Sequence, residues 1–397
     1  MTKQEQINQV LTRGVENIYP NKQALEKILK SNKKIRLYNG IDPTSPSLHL
    51  GHSVQMMKLK QFQDLGHEVI VLIGDFTAQI GDPTDKSAVR QQLTHKQVMK
   101  NCKGYKEQIS KILDLDKVEF KYNSKWLGNL SFADTLELSS NFTAQQTLAR
   151  DMFKKRMQTG KDLYLHEFLY PLMQAYDSVY MNVDLEVGGN DQMFNMLAGR
   201  TLMKKMKNKE KYVMTTKLLV DPFGKKMGKT EGNMVNLNEK PDQMFGQIMA
   251  WPDGLIVPGL ELCTYIPMEE IKQIDKDIKE NKRNPRDVKA KLAKEIISIY
   301  YSEKEAEKAE EEFNKIFKEK GKPTEIPICK LLNKEYDILD LLIETKLVLS
   351  KGEAKRLIEQ DGVKIDNQKI TDWQKEINIK DNMIIQVGKR KFIQIKV

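Results

Sequence analysis

Two stretches of the chain carry residues whose types and spacing could do chemistry. The first, GIDPTSPSLHLGH from Gly40 to His52, sets His49 and His52 three apart around Gly51, behind a polar run holding Asp42 and Thr44. Helical histidines that bind a metal usually stand at i, i+4 with a glutamate between them and a third ligand elsewhere. Here the spacing is i, i+3 without a glutamate, and the chain has only 5 histidines, which argues against zinc. A helix starting near Leu48 would instead present its N–H groups and the positive end of its dipole to a phosphate. Histidines there could donate to phosphate oxygens, and Gly51 would let a nucleotide approach the backbone. Taken alone, a helix start with two solvated histidines explains the stretch as well. The second stretch, DPFGKKMGKTEG from Asp221 to Gly232, is a loop with Lys225, Lys226 and Lys229 among small or flexible residues. Lysine is a mobile point charge suited to a phosphate whose charge changes during reaction. By itself such a loop reads as a solvated turn.

The elements around these stretches predict how they are positioned. KKIRLYN reads as a strand, SVQMMKLKQFQDLG as a helix and EVIVLIGD as a buried strand, which makes a βαβ unit with a parallel sheet. KVEFKYN and VDLEVGG read as further strands. The expected fold class is α/β, a doubly wound, Rossmann-like parallel sheet whose ligands lie at the carboxyl ends of the strands. From about Pro241 the pattern changes to charged amphipathic helices broken by Asn-Pro and Gly-Lys-Pro. The last stretch turns from apolar helices to period-2 strands. The expected division is a catalytic domain over 1–235, a helical domain over 236–322, a connector over 323–336 and a small α+β domain over 337–397.

Composition narrows the classes. At 397 residues with 65 Lys and Arg against 55 Asp and Glu, a net charge of +10, the chain suits a polyanionic partner. From Asp340 onward the count is 12 basic against 9 acidic residues, so the charge is not gathered in the tail. Cys102, Cys263 and Cys329 are scattered without a CxxC pair, arguing for a reducing compartment. No apolar run approaches the ~18 residues of a membrane span. The expectation is a cytoplasmic protein with no membrane partner.

Together the two stretches resemble the HIGH and KMSKS signatures of class I aminoacyl-tRNA synthetases, here His49-Leu50-Gly51-His52 and Lys226-Met227-Gly228-Lys229-Thr230. From about Leu37 onward the chain resembles the tyrosyl-tRNA synthetases, through LYNGIDPT, DFTAQIGDPT, YPLMQAYDSVY and VGGNDQ. The resemblance implies a tyrosine pocket of Tyr38, Asp42, Thr77, Asp82, Tyr170, Gln174, Asp177 and Gln192. Within it, Asp82, Tyr170 and Gln174 surround the substrate ammonium, while Tyr38 and Asp177 bond its phenol. Thr44 and His49 face the γ-phosphate side of ATP, and His52 and Asp191 its ribose and adenine end. Gly40, Gly51, Gly188 and Met227 complete the ATP site, and Lys226, Lys229 and Thr230 close over the pyrophosphate. ATP is implied as a substrate, with Mg2+ carried by its phosphates and no protein-bound metal or prosthetic group. L-tyrosine and tRNA(Tyr) are the other implied partners, and a homodimer is implied.

At i, i+4 and i+7, Tyr170, Gln174 and Asp177 share one helix face, an odd set to bury unless a polar ligand meets it. An amphipathic helix with Tyr170 buried and the other two wet is the plainer reading. The tail resembles an S4-type RNA-binding module, whose basic residues would be Lys346, Lys351, Lys355, Arg356, Lys389 and Arg390. A solvated charged face is the alternative there. The tryptophan enzyme shares fold and signatures, but an indole offers no phenol for Tyr38 and Asp177. A non-catalytic RNA-binding relative and a nucleotidylyltransferase are the remaining rivals.

Overall fold

A computed structural model describes residues 1–31, 33–83, 93–220, 234–317, 326–331, 333, 335–388 and 391–396. Residues Met1–Ala306 form one compact unit and Glu307–Val397 a second.

The first unit is built on a six-stranded sheet of order β1-β6-β5-β2-β3-β4. Its strands are β1 Val15–Tyr19, β2 Arg36–Ile41, β3 Glu68–Ile73, β4 Val118–Tyr122, β5 Leu185–Gly189 and β6 Tyr212–Thr216. All pairs are parallel except β1 with β6. The chain winds outward through β2, β3 and β4, then returns past β2 to lay down β5 and β6. β3 and β5 are almost wholly buried, as expected of parallel strands covered on both faces. The helix Leu50–Asp64 joins β2 to β3 and buries Leu50, Val54, Met56, Leu59 and Phe62. β2, β3, β4 and β5 fall where the sequence places strands. β1 and β6 were not expected, because VENIY and YVMTT are five-residue runs with no long alternation.

The helices after Pro241 do not form a unit of their own; up to Ala306 they belong to the sheet domain. A single side chain explains much of the joint. Arg13 is buried and donates to the carbonyls of Leu260 at 3.1 Å, Glu261 at 2.9 Å, Thr264 at 2.6 Å and Ile266 at 2.6 Å. These are the last carbonyls of the helix Ile256–Cys263 and the turn behind it, groups a helix cannot pair internally. The helix Pro285–Tyr300 starts at an Asn284 cap with proline in its first turn.

The second unit holds a five-stranded sheet, β10-β9-β12-β13-β7, and a two-stranded ribbon, β11-β8. Its strands are β7 Ile328–Lys330, β8 Glu335–Asp337, β9 Val363–Ile365, β10 Gln368–Lys369, β11 Glu376–Asn378, β12 Ile384–Val387 and β13 Lys391–Lys396. Helices Ile338–Glu344 and Lys351–Glu359 share its core through Leu341, Leu342 and Ile358. The expected connector over 323–336 is corrected here. Ile328–Lys330 pairs in parallel with β13, and Glu335–Asp337 pairs with β11, so the α+β fold recruits both. Pairing with distant strands is invisible in so short a run.

Candidate active site

The winding reverses between β2 and β5, and the crevice of such a sheet opens at the carboxyl ends of those strands. β2 delivers Gly40 and Ile41 there, followed by Asp42 and the exposed Thr44, whose N–H bonds the Asp42 carbonyl at 2.8 Å. His49 is the N-cap of the helix Leu50–Asp64, which starts two residues after Leu48. Its Nδ1 accepts from the Gly51 N–H at 3.1 Å, while His52 Nδ1 accepts from the His49 N–H at 3.2 Å. The two rings lie 3.9 Å apart. The i, i+3 spacing is therefore that of a reciprocal capping box, with imidazoles in place of hydroxyl and carboxylate. With both Nδ1 atoms accepting, each neutral ring carries its proton on Nε2, which makes that atom a donor.

The helix Leu165–Tyr180 carries the next group of candidate residues. Tyr170 donates to Asp42 Oδ2 at 3.0 Å, and Thr77 donates to Asp42 Oδ1 at 2.8 Å. Gly74 is required here, since a Cβ on it would stand 1.9 Å from Asp42 Oδ1. Burial pushes the Asp42 carboxyl up to about 7, against the pull of the Thr77 and Tyr170 hydroxyls. Asp177 accepts from Trp126 Nε1 at 2.6 Å and from Asn123 Nδ2 at 3.3 Å. Burial drives its carboxyl well above the ordinary range, opposed by those two bonds. Gln174 donates from Nε2 to Glu186 Oε1 at 2.9 Å. Tyr38 is fully buried, with its hydroxyl 2.9 Å from Ser178 Oγ. The one-face expectation for Tyr170, Gln174 and Asp177 holds, but the protein itself supplies a partner for each. The plainer reading, which left Gln174 and Asp177 wet, is corrected: Asp177 is buried and bonded.

On the other side of the crevice β5 ends in Gly188 and Gly189, and the turn Asn190–Gln192 carries Asp191. Gln192 donates to Asp82 Oδ2 at 2.6 Å, and its own Oε1 accepts from Asn195 at 3.0 Å. Asp42, Thr77, Tyr170, Asp82 and Gln192 thus form two bonded clusters from distant segments. Lys226, Met227, Lys229 and Thr230 lie outside the described residues. Among the described residues no group of three or more His, Cys, Asp or Glu could hold a metal ion.

Residues 30–318 match the model of the class I tRNA synthetases for tryptophan and tyrosine, and residues 318–395 that of the tyrosine–tRNA ligase SYY-like C-terminal domain. The tyrosine–tRNA ligase of Carboxydothermus hydrogenoformans is 46% identical over 98% of this chain and 97% of its own. That of Thermotoga maritima is 43% identical over 100% of this chain and 98% of its own. The chain belongs to the tyrosine–tRNA ligases. Solved structures show the shared fold. One is an Archaeoglobus fulgidus tyrosyl-tRNA synthetase complexed with L-tyrosine, at TM-score 0.62 and 22% identity over 78% of this chain and all of that one. Another is a truncated Aspergillus nidulans mitochondrial tyrosyl-tRNA synthetase, at TM-score 0.65 and 22% identity over 79% of this chain and 94% of that one.

Sequence reasoning missed several residues bonded to the candidate ones. Asn123 and Trp126 hold Asp177, while Ser178, Glu186 and Lys211 form a buried polar cluster behind Tyr38 and Gln174. A glutamate inside the apolar run LEVGG was the available signal for the last of these. In the second unit Lys346 is exposed at φ +56°, Lys351 pairs with Asp340 at 2.6 Å, and Arg356 is exposed. Lys355 stands 4.0 Å over the Trp373 ring. Lys389 and Arg390 lie outside the described residues. No helix among the described residues is long and apolar enough to cross a membrane.

Proposed function

We propose that the crevice between β2 and β5 activates L-tyrosine with ATP and then loads tRNA(Tyr), with residue roles as follows. Asp82, Tyr170 and Gln174 hold the ammonium of tyrosine, Asp42, Thr77 and Gln192 brace them, and Tyr38 and Asp177 bond the phenol. A site that pairs a substrate hydroxyl rejects the analogue lacking it, because its own buried groups are then left unpaired. The tyrosine carboxylate oxygen attacks the α-phosphorus in line, and the bond from phosphorus to the bridging oxygen breaks as pyrophosphate leaves. The terminal ribose hydroxyl of tRNA then attacks the carbonyl carbon and AMP departs.

No enzyme nucleophile is needed, so positioning and preorganised donors carry the rate. Thr44 and His49 face the γ-phosphate, while His52 and Asp191 face ribose and adenine. Gly40, Gly51, Gly188 and Met227 flank the nucleotide, and Lys226, Lys229 and Thr230 meet the pyrophosphate. Mg2+ arrives with ATP through its phosphates and water.

The capped histidine pair carries this reading, because it fixes two Nε2 donors at a helix start where the sheet opens. The helical segment after Pro241 reads the anticodon, and the C-terminal unit is an S4-type module whose Lys346, Lys351, Lys355, Arg356, Lys389 and Arg390 meet tRNA phosphates. The protein is cytoplasmic and homodimeric. Exposed apolar side chains, among them Phe132 at 78%, Leu136 at 56% and Leu165 at 84%, support an interface in the catalytic unit.

ATP–pyrophosphate exchange across the twenty amino acids tests the activity. Exchange with tyrosine alone is expected. Exchange driven by tryptophan refutes the pocket assignment, and exchange with none refutes the activity in favour of an RNA-binding role.

A further inference from the structure

We infer that the buried ion pair of Glu186 and Lys211 is the positioning device of the tyrosine site, setting the hydrogen-bond direction of Gln174 and Tyr38 together. The inference rests on the pocket proposed above. Lys211 and Glu186 are 0% and 3% exposed in their side chains and bonded to each other. Lys211 Nζ also donates to Ser178 Oγ at 2.7 Å and to the Met196 carbonyl at 3.2 Å, so its three protons are all used. Room for it is built in: a Cβ on Gly199 would stand 2.4 Å from Lys211 Nζ.

An ammonium only donates and a carboxylate only accepts, and this fixes every bond between them. Glu186 Oε1 takes the Gln174 Nε2 proton at 2.9 Å, so Gln174 turns its carbonyl Oε1 the other way, as an acceptor. Ser178 accepts from Lys211, and its Oγ lies 3.4 Å from Glu186 Oε2, to which it can donate its one proton. Either hydroxyl could donate at the 2.9 Å contact between Tyr38 and Ser178; we assign the Ser178 proton to Glu186, which makes Tyr38 the donor there and leaves its phenolic oxygen as an acceptor. Gln174 is thus ready to accept from an ammonium, and Tyr38 from a phenol O–H. Those are the two ends of tyrosine.

Stability does not explain the pair. Replacing a buried ion pair by apolar groups of similar volume is often neutral or stabilising, whereas removing one partner is strongly destabilising. Orientation of Gln174 and Tyr38 does explain it.

The test compares, in the full chain, the KM for tyrosine in ATP–pyrophosphate exchange with the inhibition constant of phenylalanine as a competitor of that exchange, with thermal melting as the folding check. Ser178→Ala cuts the link to Tyr38 and removes one acceptor of Lys211, while the Gln174–Glu186 bond stays in place. It should raise KM for tyrosine by about 10-fold at unchanged kcat and leave phenylalanine unaffected. The double variant Glu186→Leu/Lys211→Met removes both charges without stranding either, so it should melt no lower than the wild type. The inhibition constant of phenylalanine should rise by about 10-fold and the KM for tyrosine by more, since the ammonium contact serves both amino acids. Wild-type KM values in a folded double variant, or equal effects of Ser178→Ala on both amino acids, overturn the inference. A wild type that exchanges with no tyrosine brings down the pocket assignment itself, and this inference with it.

Discussion

Asp42 sits under two hydroxyl donors with its carboxyl pushed up to about 7 from 3.8, which makes it a proton store with a calculable effect. In the unfolded chain it titrates near the ordinary aspartate value of about 3.9. Between these values the folded protein holds a proton that the unfolded chain has released. The stability this contributes is fully present below the unfolded value and is lost as pH rises through the folded one. Three units correspond to a ceiling of about 4 kcal/mol, and the partial exposure of Asp42 reduces this to about 2 kcal/mol. Asp42→Asn is nearly isosteric. Its Oδ1 still accepts from Thr77, and its amide can donate to a Tyr170 hydroxyl that rotates to accept.

The assay is denaturation of both chains at pH 5 and pH 7.5. The wild type should lose about 1 kcal/mol more than the variant across this span, which covers about two of the three units, because every other titrating group cancels in the comparison. A cation beside Asp42 also favours its ionised form. Tyrosine binding near pH 6.5 should then release protons in the wild type and not in Asp42→Asn, which calorimetry in two buffers of different ionisation heat can read. Parallel stability changes in the two chains would refute the account of Asp42.

Three further outcomes are expected. His52→Ala removes one preorganised donor and one half of the cap, so kcat for exchange should fall by about 10²–10³ with little change in the KM for tyrosine; an unchanged kcat counts against the histidine roles. Arg13→Ala removes a donor from four carbonyls at the joint between the sheet and the helix Ile256–Cys263, of which Leu260 keeps the Thr264 hydroxyl. It should cost about 2–4 kcal/mol in thermal or chemical melts, with the joint as the first protease-sensitive point. Leu165→Asp places a charge on a side chain that is 84% exposed, so the fold should persist. Light scattering should then give a mass near the 46.0 kDa of one chain, and about twice that for the wild type; equal masses for both refute this interface.

Much of the site was legible because its chemistry is local in sequence. His49 and His52 lie within one helical turn, and their three-residue spacing already contains the reciprocal cap, although the sequence alone did not show the rings accepting from the backbone. Tyr170, Gln174 and Asp177 share a helix face by periodicity, so their common direction follows from the period of 3.6. What those residues touch did not follow. Asp42 meets Tyr170 across 128 positions, and Asp177 meets Trp126 across 51. Such pairs exist because β2, β3 and β5 are neighbours in a sheet whose order reverses, and that order is set by the packing of the whole domain.

By itself, then, the sequence determined the strand–helix alternation, the helix cap and the polar face, all of which depend on neighbours a few residues away. The burial of Lys211 against Glu186, the reach of Arg13 into a helix end some 250 positions on, and the strands over 328–337 were decided only by the tertiary fold. A buried charge or a three-residue strand is unstable on its own. Each exists only where distant segments bring the acceptor, the donor or the partner strand that satisfies it.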